Sequence, residues 1–168
     1  MAARNFEFKV RVNETESAEK KLLTLNPLFI GVDHQTDTYF NVKRGRLKLR
    51  EGNVENALIH YERADTAGAK QSDIILYNCN PNPALKEILS LHFGIKTVVN
   101  KIRRIYFIDN VKFHFDEVKN LGYFIEVEAI DREGGLSVGK LREQCQKYFE
   151  FFGFEENQLM HSSYSDMQ

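Results

Sequence analysis

Charged side chains of both signs recur at every second position in several segments of this sequence. Glu7 and Lys9 lie two residues apart near the start, and Glu126 and Glu128 have the same spacing near the end. The other charged or titratable residues with this spacing are Arg46, Lys48, Arg50, Lys101, Arg103, His114 and Asp116. Carboxylates bind hard divalent cations, and lysine and arginine bind phosphate oxygens. Together these residue types indicate chemistry on a metal–polyphosphate complex.

The segments that carry these residues have the two-residue period of β-strands. In residues 5–12, Phe6, Phe8, Val10 and Val12 occupy one side, and polar residues occupy the other. Alternation and turn residues predict further strands at residues 38–42, 46–50, 57–63, 74–77, 101–109, 111–118 and 123–130. Helices are predicted at residues 15–25, 83–93 and 137–152. The short connections between most of the strands predict an α+β fold with a mainly antiparallel sheet.

Two arrangements would account for the charged face of this sheet. An antiparallel sheet commonly keeps one face in water, where charged residues are well solvated. Alternatively, the helices cover the apolar face of a sheet that curls into a barrel, and the charged face becomes the barrel interior. Charges in such an interior must pair with one another or bind a ligand. Periodicity alone leaves both arrangements open.

Length and composition restrict the function classes. The 168 residues fit a single domain spanning residues 1–168. A net charge of −1 provides no basic field for nucleic acid, and the basic run at residues 43–50 contains leucines at the spacing of a strand. The sequence contains no membrane-spanning apolar stretch, and because the strand pattern begins near residue 5 we expect no signal peptide. Cys79 and Cys145 lie far apart and lack metal-ligand spacing, so we expect reduced thiols in a cytoplasmic protein. From the net charge and the lack of a long apolar stretch, we expect no nucleic-acid or membrane partner.

Six segments, in order along the chain, resemble motifs of one known family. Residues 5–9 (NFEFK) resemble the N-terminal ExExK signature of the CYTH superfamily, which groups class IV adenylyl cyclases with thiamine triphosphatases. The other similar segments are residues 37–40 (DTYF), 45–51 (GRLKLRE), 61–63 (YER), 101–104 (KIRR) and 113–128, which form an acidic hairpin; the tail at residues 163–166 is also similar. The resemblance implies a closed or nearly closed eight-stranded antiparallel β-barrel, the triphosphate tunnel fold, with a charged lumen and helices packed outside.

The same resemblance implies roles for individual residues. Glu7, Glu126 and Glu128 would hold the metal, Mg²⁺ or Mn²⁺. The residues expected to bind the phosphates are Lys9, Lys48, Arg50, Arg63, Lys101 and Arg103. Glu7, Lys9 and Asp116 would be catalytic, Asp116 either by assisting metal binding or by orienting a basic residue. The first signature position is Asn5 where the family has glutamate, so one metal ligand position offers a carbonyl oxygen in place of a charge.

Two reactions fit such a lumen. A class IV adenylyl-cyclase-like enzyme would convert ATP to cyclic AMP and pyrophosphate. A triphosphatase would instead hydrolyse an inorganic, nucleoside or thiamine triphosphate. A polyphosphate-binding protein without catalysis is a further alternative, since Asn5 departs from the signature. All three readings imply a triphosphate ligand, and each is compatible with a homodimer.

Overall fold

The computed structural model describes residues 3–63 and 70–167, and the side chains of residues 3, 63 and 70 lie outside that description. The strands are β1 (Ala3–Val12), β2 (Leu28–Phe40), β3 (Arg46–Glu51), β4 (Ala57–Arg63), β5 (Lys70–Asn78), β6 (Ile95–Ile108), β7 (Val111–Val118) and β8 (Gly122–Asp131). The helices are α1 (Glu16–Leu23), α2 (Pro83–Phe93) and α3 (Val138–Phe152), and short 3₁₀ turns span Glu156–Gln158 and Tyr164–Asp166.

The eight strands form one closed antiparallel barrel in the order β1-β5-β4-β3-β2-β6-β7-β8. The ring closes at β1, which pairs antiparallel with β5 on one side and with β8 on the other. This topology confirms the predicted eight-stranded antiparallel barrel. Of the two arrangements that periodicity left open, the chain adopts the one in which the alternating charged face lies inside.

The apolar face of β1, β7 and β8 is covered from outside by α3. Phe8, Phe113 and Phe115 of the strands pack with Leu141 and Tyr148 of the helix in one buried cluster. The Phe113 and Tyr148 rings meet edge to face with centroids 4.7 Å apart, a favoured aromatic geometry. The helix is therefore outside the barrel, as predicted, and it leaves the charged face to the lumen.

Local signals explain why the helices begin and end where they do. The Ser137 side chain caps α3 by accepting a hydrogen bond from the amide of Lys140, and Gly153 ends the helix in the left-handed conformation. The Asn82 side chain caps α2 in the same way, with Pro83 at the first helical position. None of the helices in the described ranges is both long enough and apolar enough to cross a membrane.

Three strands are longer than alternation predicted. The strand expected at residues 38–42 is the last part of β2, which begins at Leu28 and ends at Phe40. β5 extends beyond residues 74–77 at both ends, and β6 begins at Ile95 rather than at residue 101. In β2 the buried residues Asp33 and Gln35 alternate with the outward residues Val32, His34 and Thr36, so the buried face is polar and the strand lacks the apolar contrast that marks a strand in a sequence.

Candidate active site in the barrel lumen

The lumen contains a cavity of about 930 Å³ with one predominantly charged wall and one predominantly apolar wall. The predicted site residues that line it are Glu7, Lys9, Lys48, Arg50, Lys101, Arg103, Glu126 and Glu128. Asp116 is buried beside them, bound to Arg103. Arg63 ends β4, but its side chain lies outside the described residues. The barrel thus brings together predicted residues from β1, β3, β6, β7 and β8.

Three carboxylates meet where β1 pairs with β8. Glu7 lies directly opposite Glu128, and Glu126 occupies the next position on the same face of β8. Burial, together with the charges of the adjacent Glu126 and Glu7, raises the pKa of Glu128 to about 7. A group of buried like charges is costly unless a cation offsets it. A divalent cation bound beside Glu7, Glu126 and Glu128 would offset their charges.

Asn5 and Ser72 add neutral oxygen atoms beside these carboxylates. The two residues are opposite each other on β1 and β5, and both are buried. The Asn5 amide nitrogen donates to Glu7 Oε2 at 3.2 Å, which orients that carboxylate. Asn5 Oδ1 and Ser72 Oγ have no hydrogen-bond partner among the described residues. Buried oxygens without a partner next to three carboxylates suit a hard cation, so the donor set fits Mg²⁺ or Mn²⁺.

His114 also faces this part of the lumen. It lies opposite Glu126 in the β7–β8 pair, with Nδ1 3.5 Å from Glu126 Oε2. Burial lowers the pKa of His114 to about 3, with help from Arg103 and Lys112, so the imidazole is neutral near pH 7. The alternation of residues in β7 predicted that His114 lies on the charged face, but the sequence analysis assigned it no role.

Three cations converge on one carboxylate that sequence reasoning did not select as a site residue. Asp37 of β2 accepts hydrogen bonds from Arg50 Nε at 2.9 Å, Arg50 Nη2 at 3.0 Å, Lys48 Nζ at 3.1 Å and Lys101 Nζ at 2.6 Å. Burial lowers the pKa of Lys101 to about 7 despite the opposing effect of Asp37, and Arg50 and Arg103 contribute to the decrease. Three of the predicted phosphate-binding residues, Lys48, Arg50 and Lys101, thus form a preassembled cluster of cations around Asp37.

Arg103 is held by a second buried acid. Its Nε and Nη2 each donate to Asp116 at 2.6 Å, and Nη2 also reaches Glu126 Oε2 at 3.2 Å. Tyr164, from the C-terminal 3₁₀ turn, donates its hydroxyl to Asp116 Oδ2 at 2.7 Å. Of the two roles considered for Asp116, this geometry favours the orientation of a basic residue over metal binding.

Lys9 lies between the acidic group and the tail. Its Nζ is 3.6 Å from Glu126 Oε2 and 4.0 Å from the centre of the Tyr164 ring. A cation over an aromatic face at this distance is attracted by the ring quadrupole. Tyr164 therefore contributes to the placement of both Lys9 and Asp116.

A loop carboxylate, Glu55, also reaches the lumen. The loop between β3 and β4 folds inward because Asp33 accepts the amide hydrogens of Val54 and Glu55, at 3.0 and 2.9 Å. The Glu55 carboxylate then accepts from Arg50 Nη1 at 3.0 Å and forms an ion pair with Lys112. Burial would raise the pKa of Glu55, but Lys112 and Arg50 outweigh it and hold the pKa well below its usual range. Alternation could not identify a loop residue of this kind.

The opposite wall of the cavity is apolar. Ala57 and Ile59 of β4 and Ile74 and Leu76 of β5 line it at alternate positions. Ile59 pairs with Leu76 across the two strands, so their side chains form a continuous surface. A ligand that spans the cavity would meet charge at one end and hydrocarbon at the other.

Comparison with known proteins agrees with this arrangement. Residues 3–164 match the CYTH domain family. No curated protein matches the sequence. The chain is similar to the solved structure of a protein from Pyrococcus horikoshii OT3, with 24% identity, a TM-score of 0.82, and 96% of this chain and 98% of that chain covered. It is also similar to the structure of a conserved hypothetical protein from Pyrococcus furiosus, with 22% identity, a TM-score of 0.85, and 98% of this chain and 99% of that chain covered.

A third similar structure is that of a Vibrio parahaemolyticus protein described as a candidate adenylate cyclase (16% identity, TM-score 0.74, 97% of this chain and 96% of that chain covered). At these identities the structural likeness concerns the fold, which all three structures share over nearly their full length. The family match also covers nearly the whole chain. The chain therefore belongs to the CYTH family.

Proposed function

We propose that this CYTH protein is a metal-dependent enzyme that binds a triphosphate in the barrel lumen, and that it converts ATP to cyclic AMP and pyrophosphate as class IV adenylyl cyclases do. The observation that carries the proposal is the placement of Glu7, Glu126 and Glu128 in the same cavity as a buried cluster of lysines and arginines. Carboxylates for a cation and cations for phosphate oxygens are the parts that phosphoryl transfer requires.

Each group has a distinct task in this reaction. Glu7, Glu126 and Glu128 would hold the divalent cation, which when bound polarises the reacting phosphoryl group and offsets its charge. Lys9 and Arg103, beside Glu126, would contact the phosphates near that cation, while Lys48, Arg50 and Lys101 would bind the remaining phosphate oxygens. In cyclisation the ribose 3′ oxygen attacks the α-phosphorus, its proton is released, and pyrophosphate leaves.

The apolar wall supports a substrate with an organic group. Inorganic triphosphate has no part that gains from contact with Ile59, Ile74 and Leu76. A nucleoside base and sugar would cover this surface and be held in a fixed direction relative to the phosphates, and such positioning accounts for much of the catalysis of a unimolecular cyclisation. The charged wall alone would serve hydrolysis equally well.

Product analysis tests the proposal. The protein is incubated with Mg²⁺ or Mn²⁺ and, separately, with ATP, inorganic triphosphate and thiamine triphosphate, and a chelator-treated sample serves as the control. We expect cyclic AMP and pyrophosphate in equal amounts from ATP, and only when the metal is present. Orthophosphate release would replace the cyclase by a triphosphatase and would name its substrate. Triphosphate binding without turnover would show a binding protein and refute the enzymatic proposal.

Glu55→Gln is expected to strengthen ATP binding roughly tenfold. In the present structure Glu55 neutralises Arg50 and Lys112 and so competes with a phosphate for both cations. Glutamine keeps the size of the side chain but removes the competing charge. Isothermal titration calorimetry of ATP with Mg²⁺ measures the change in affinity.

Glu51→Gln provides the matched control for this measurement. Glu51 borders the same loop, but its carboxylate pairs with Lys86 of α2 at 2.9 Å and does not line the cavity. We expect its affinity for ATP to equal that of the unmodified protein. An unchanged or weaker affinity of Glu55→Gln would show that Glu55 does not compete with the ligand.

A further inference from the structure

His114 is a buried imidazole that the proposed reaction does not use. Its side chain is 1% exposed; Nδ1 makes only the long 3.5 Å contact with Glu126 Oε2, and Nε2 has no hydrogen-bond partner in the described part of the chain. Burying a polar group without a good partner costs free energy, and native structures seldom leave such groups unsatisfied. A ligand for one of these nitrogens would remove the cost.

The neighbours of the ring point to a cation as that ligand. One ligand atom each from His114, Glu126 and Glu128 lies within 4.8 Å of the other two. His114 is opposite Glu126 on the adjacent strand, and Glu128 is the next lumenal residue on that strand. All three side chains therefore project into the same part of the lumen from the adjacent strands β7 and β8.

We propose that His114 is a ligand of the lumenal cation together with Glu126 and Glu128, and that this nitrogen makes the site prefer a first-row transition-metal ion such as Zn²⁺ or Co²⁺ to Mg²⁺. Imidazole binds these ions well, whereas Mg²⁺ favours an all-oxygen shell. The inference concerns the metal centre of the proposed function, but it describes binding and would stand even without turnover.

Calorimetric titration of the metal-free protein with Zn²⁺ and with Mg²⁺ tests the proposal directly. We expect the unmodified protein to bind Zn²⁺ at least tenfold more tightly than Mg²⁺. His114→Gln should weaken Zn²⁺ binding by roughly 10- to 100-fold and change Mg²⁺ binding by less than about threefold. His34→Gln is the matched control, because His34 is an exposed histidine of β2, and it should leave both affinities unchanged.

A measurement on the unmodified protein makes the test independent of whether the variant folds. X-ray absorption at the zinc edge is expected to show one imidazole in the shell of the bound ion. An all-oxygen shell, equal affinities for the two metals, or an equal loss of both affinities in His114→Gln would overturn the proposal. A protein that binds Zn²⁺ through His114 yet turns over no triphosphate would support it and refute the proposed function instead, so the two failures are distinguishable.

Discussion

Glu7→Gln is expected to lower metal-dependent turnover by roughly 100-fold or more while the barrel remains folded. Glu7 lies opposite Glu128 at the acidic end of the cavity and accepts a hydrogen bond from Asn5. Glutamine keeps the shape and an oxygen for Asn5, but it removes one of three charges that would hold the cation. The kcat with ATP and saturating metal measures the loss.

The stability of the same variant separates a site role from damage to the fold. Burial and the charges of Glu126 and Glu7 raise the pKa of Glu128 from 4.5 to about 7. Because the folded chain holds this proton more tightly than the unfolded chain, ionisation of Glu128 makes folding less favourable as the pH rises from about 4.5 to 7. Without metal, Glu7→Gln should therefore be at least as stable as the unmodified protein at pH 7, since it relieves this repulsion.

The control for Glu7 is an acid of the same sheet that faces outward. Glu117 of β7 is exposed, and Glu117→Gln should retain full turnover and unchanged metal dependence. Full turnover of Glu7→Gln under the same conditions would refute the role of Glu7 in metal binding. A large loss of stability in Glu7→Gln would attribute its inactivity to the fold rather than to the site.

The alternation that sequence analysis depends on works best where a strand has one apolar face. Phe6, Phe8 and Val10 made β1 recognisable because α3 covers that side of the barrel. The beginning of β2 lacks such a cover: Val32 and His34 are exposed on its outer side, whereas the polar residues Asp33 and Gln35 are buried on the other. The buried face of this part of the strand is therefore polar, and only the closed topology shows that this face lies inside.

The contacts between individual side chains inside the lumen could not be predicted from the sequence. The alternation of residues predicted that Arg50 and Lys101 lie on the charged face, but it did not predict that both contact Asp37. That contact arises because the order of the ring places β3 on one side of β2 and β6 on the other. The position of Glu55 in the lumen depends on a loop that is held inward by hydrogen bonds to the Asp33 carboxylate. These contacts follow from the closure and register of the barrel, which single segments do not encode. The motif resemblance predicted that the sheet closes into a barrel, and the register of the strands in the structure shows which side chains pair inside it.

The second large effect expected is on stability rather than turnover. Asp37→Ala should lower the free energy of unfolding by about 3–5 kcal/mol. Asp37 is fully buried and neutralises Lys48, Arg50 and Lys101. Without it, three buried cations lose their shared counterion, and of the carboxylates described around them Glu55 alone still contacts one of the three, Arg50. Urea denaturation at pH 7 measures the difference.

The pH dependence of stability provides a second signature of Asp37. Burial alone would raise the pKa of its carboxyl, but Arg50, Lys101 and Lys48 outweigh burial and hold the pKa well below its usual value of 3.8. The stabilisation is therefore complete above about pH 3.8 and is lost as the pH falls towards the lower folded value. Asp37→Ala lacks this contribution at every pH, so its stability should decline less steeply in acid than that of the unmodified protein.

Asp73→Ala, at an exposed position of β5, is the control for Asp37 and should change stability by less than about 0.5 kcal/mol. A loss of less than about 1 kcal/mol in Asp37→Ala would contradict the interpretation of Asp37 as the counterion of the cluster. Inorganic triphosphate then tests what the cluster is for. If the three cations are a phosphate site, their release from Asp37 should make triphosphate raise the melting temperature of Asp37→Ala more than that of the unmodified protein. Equal shifts would show that the cations neutralise Asp37 without binding phosphate.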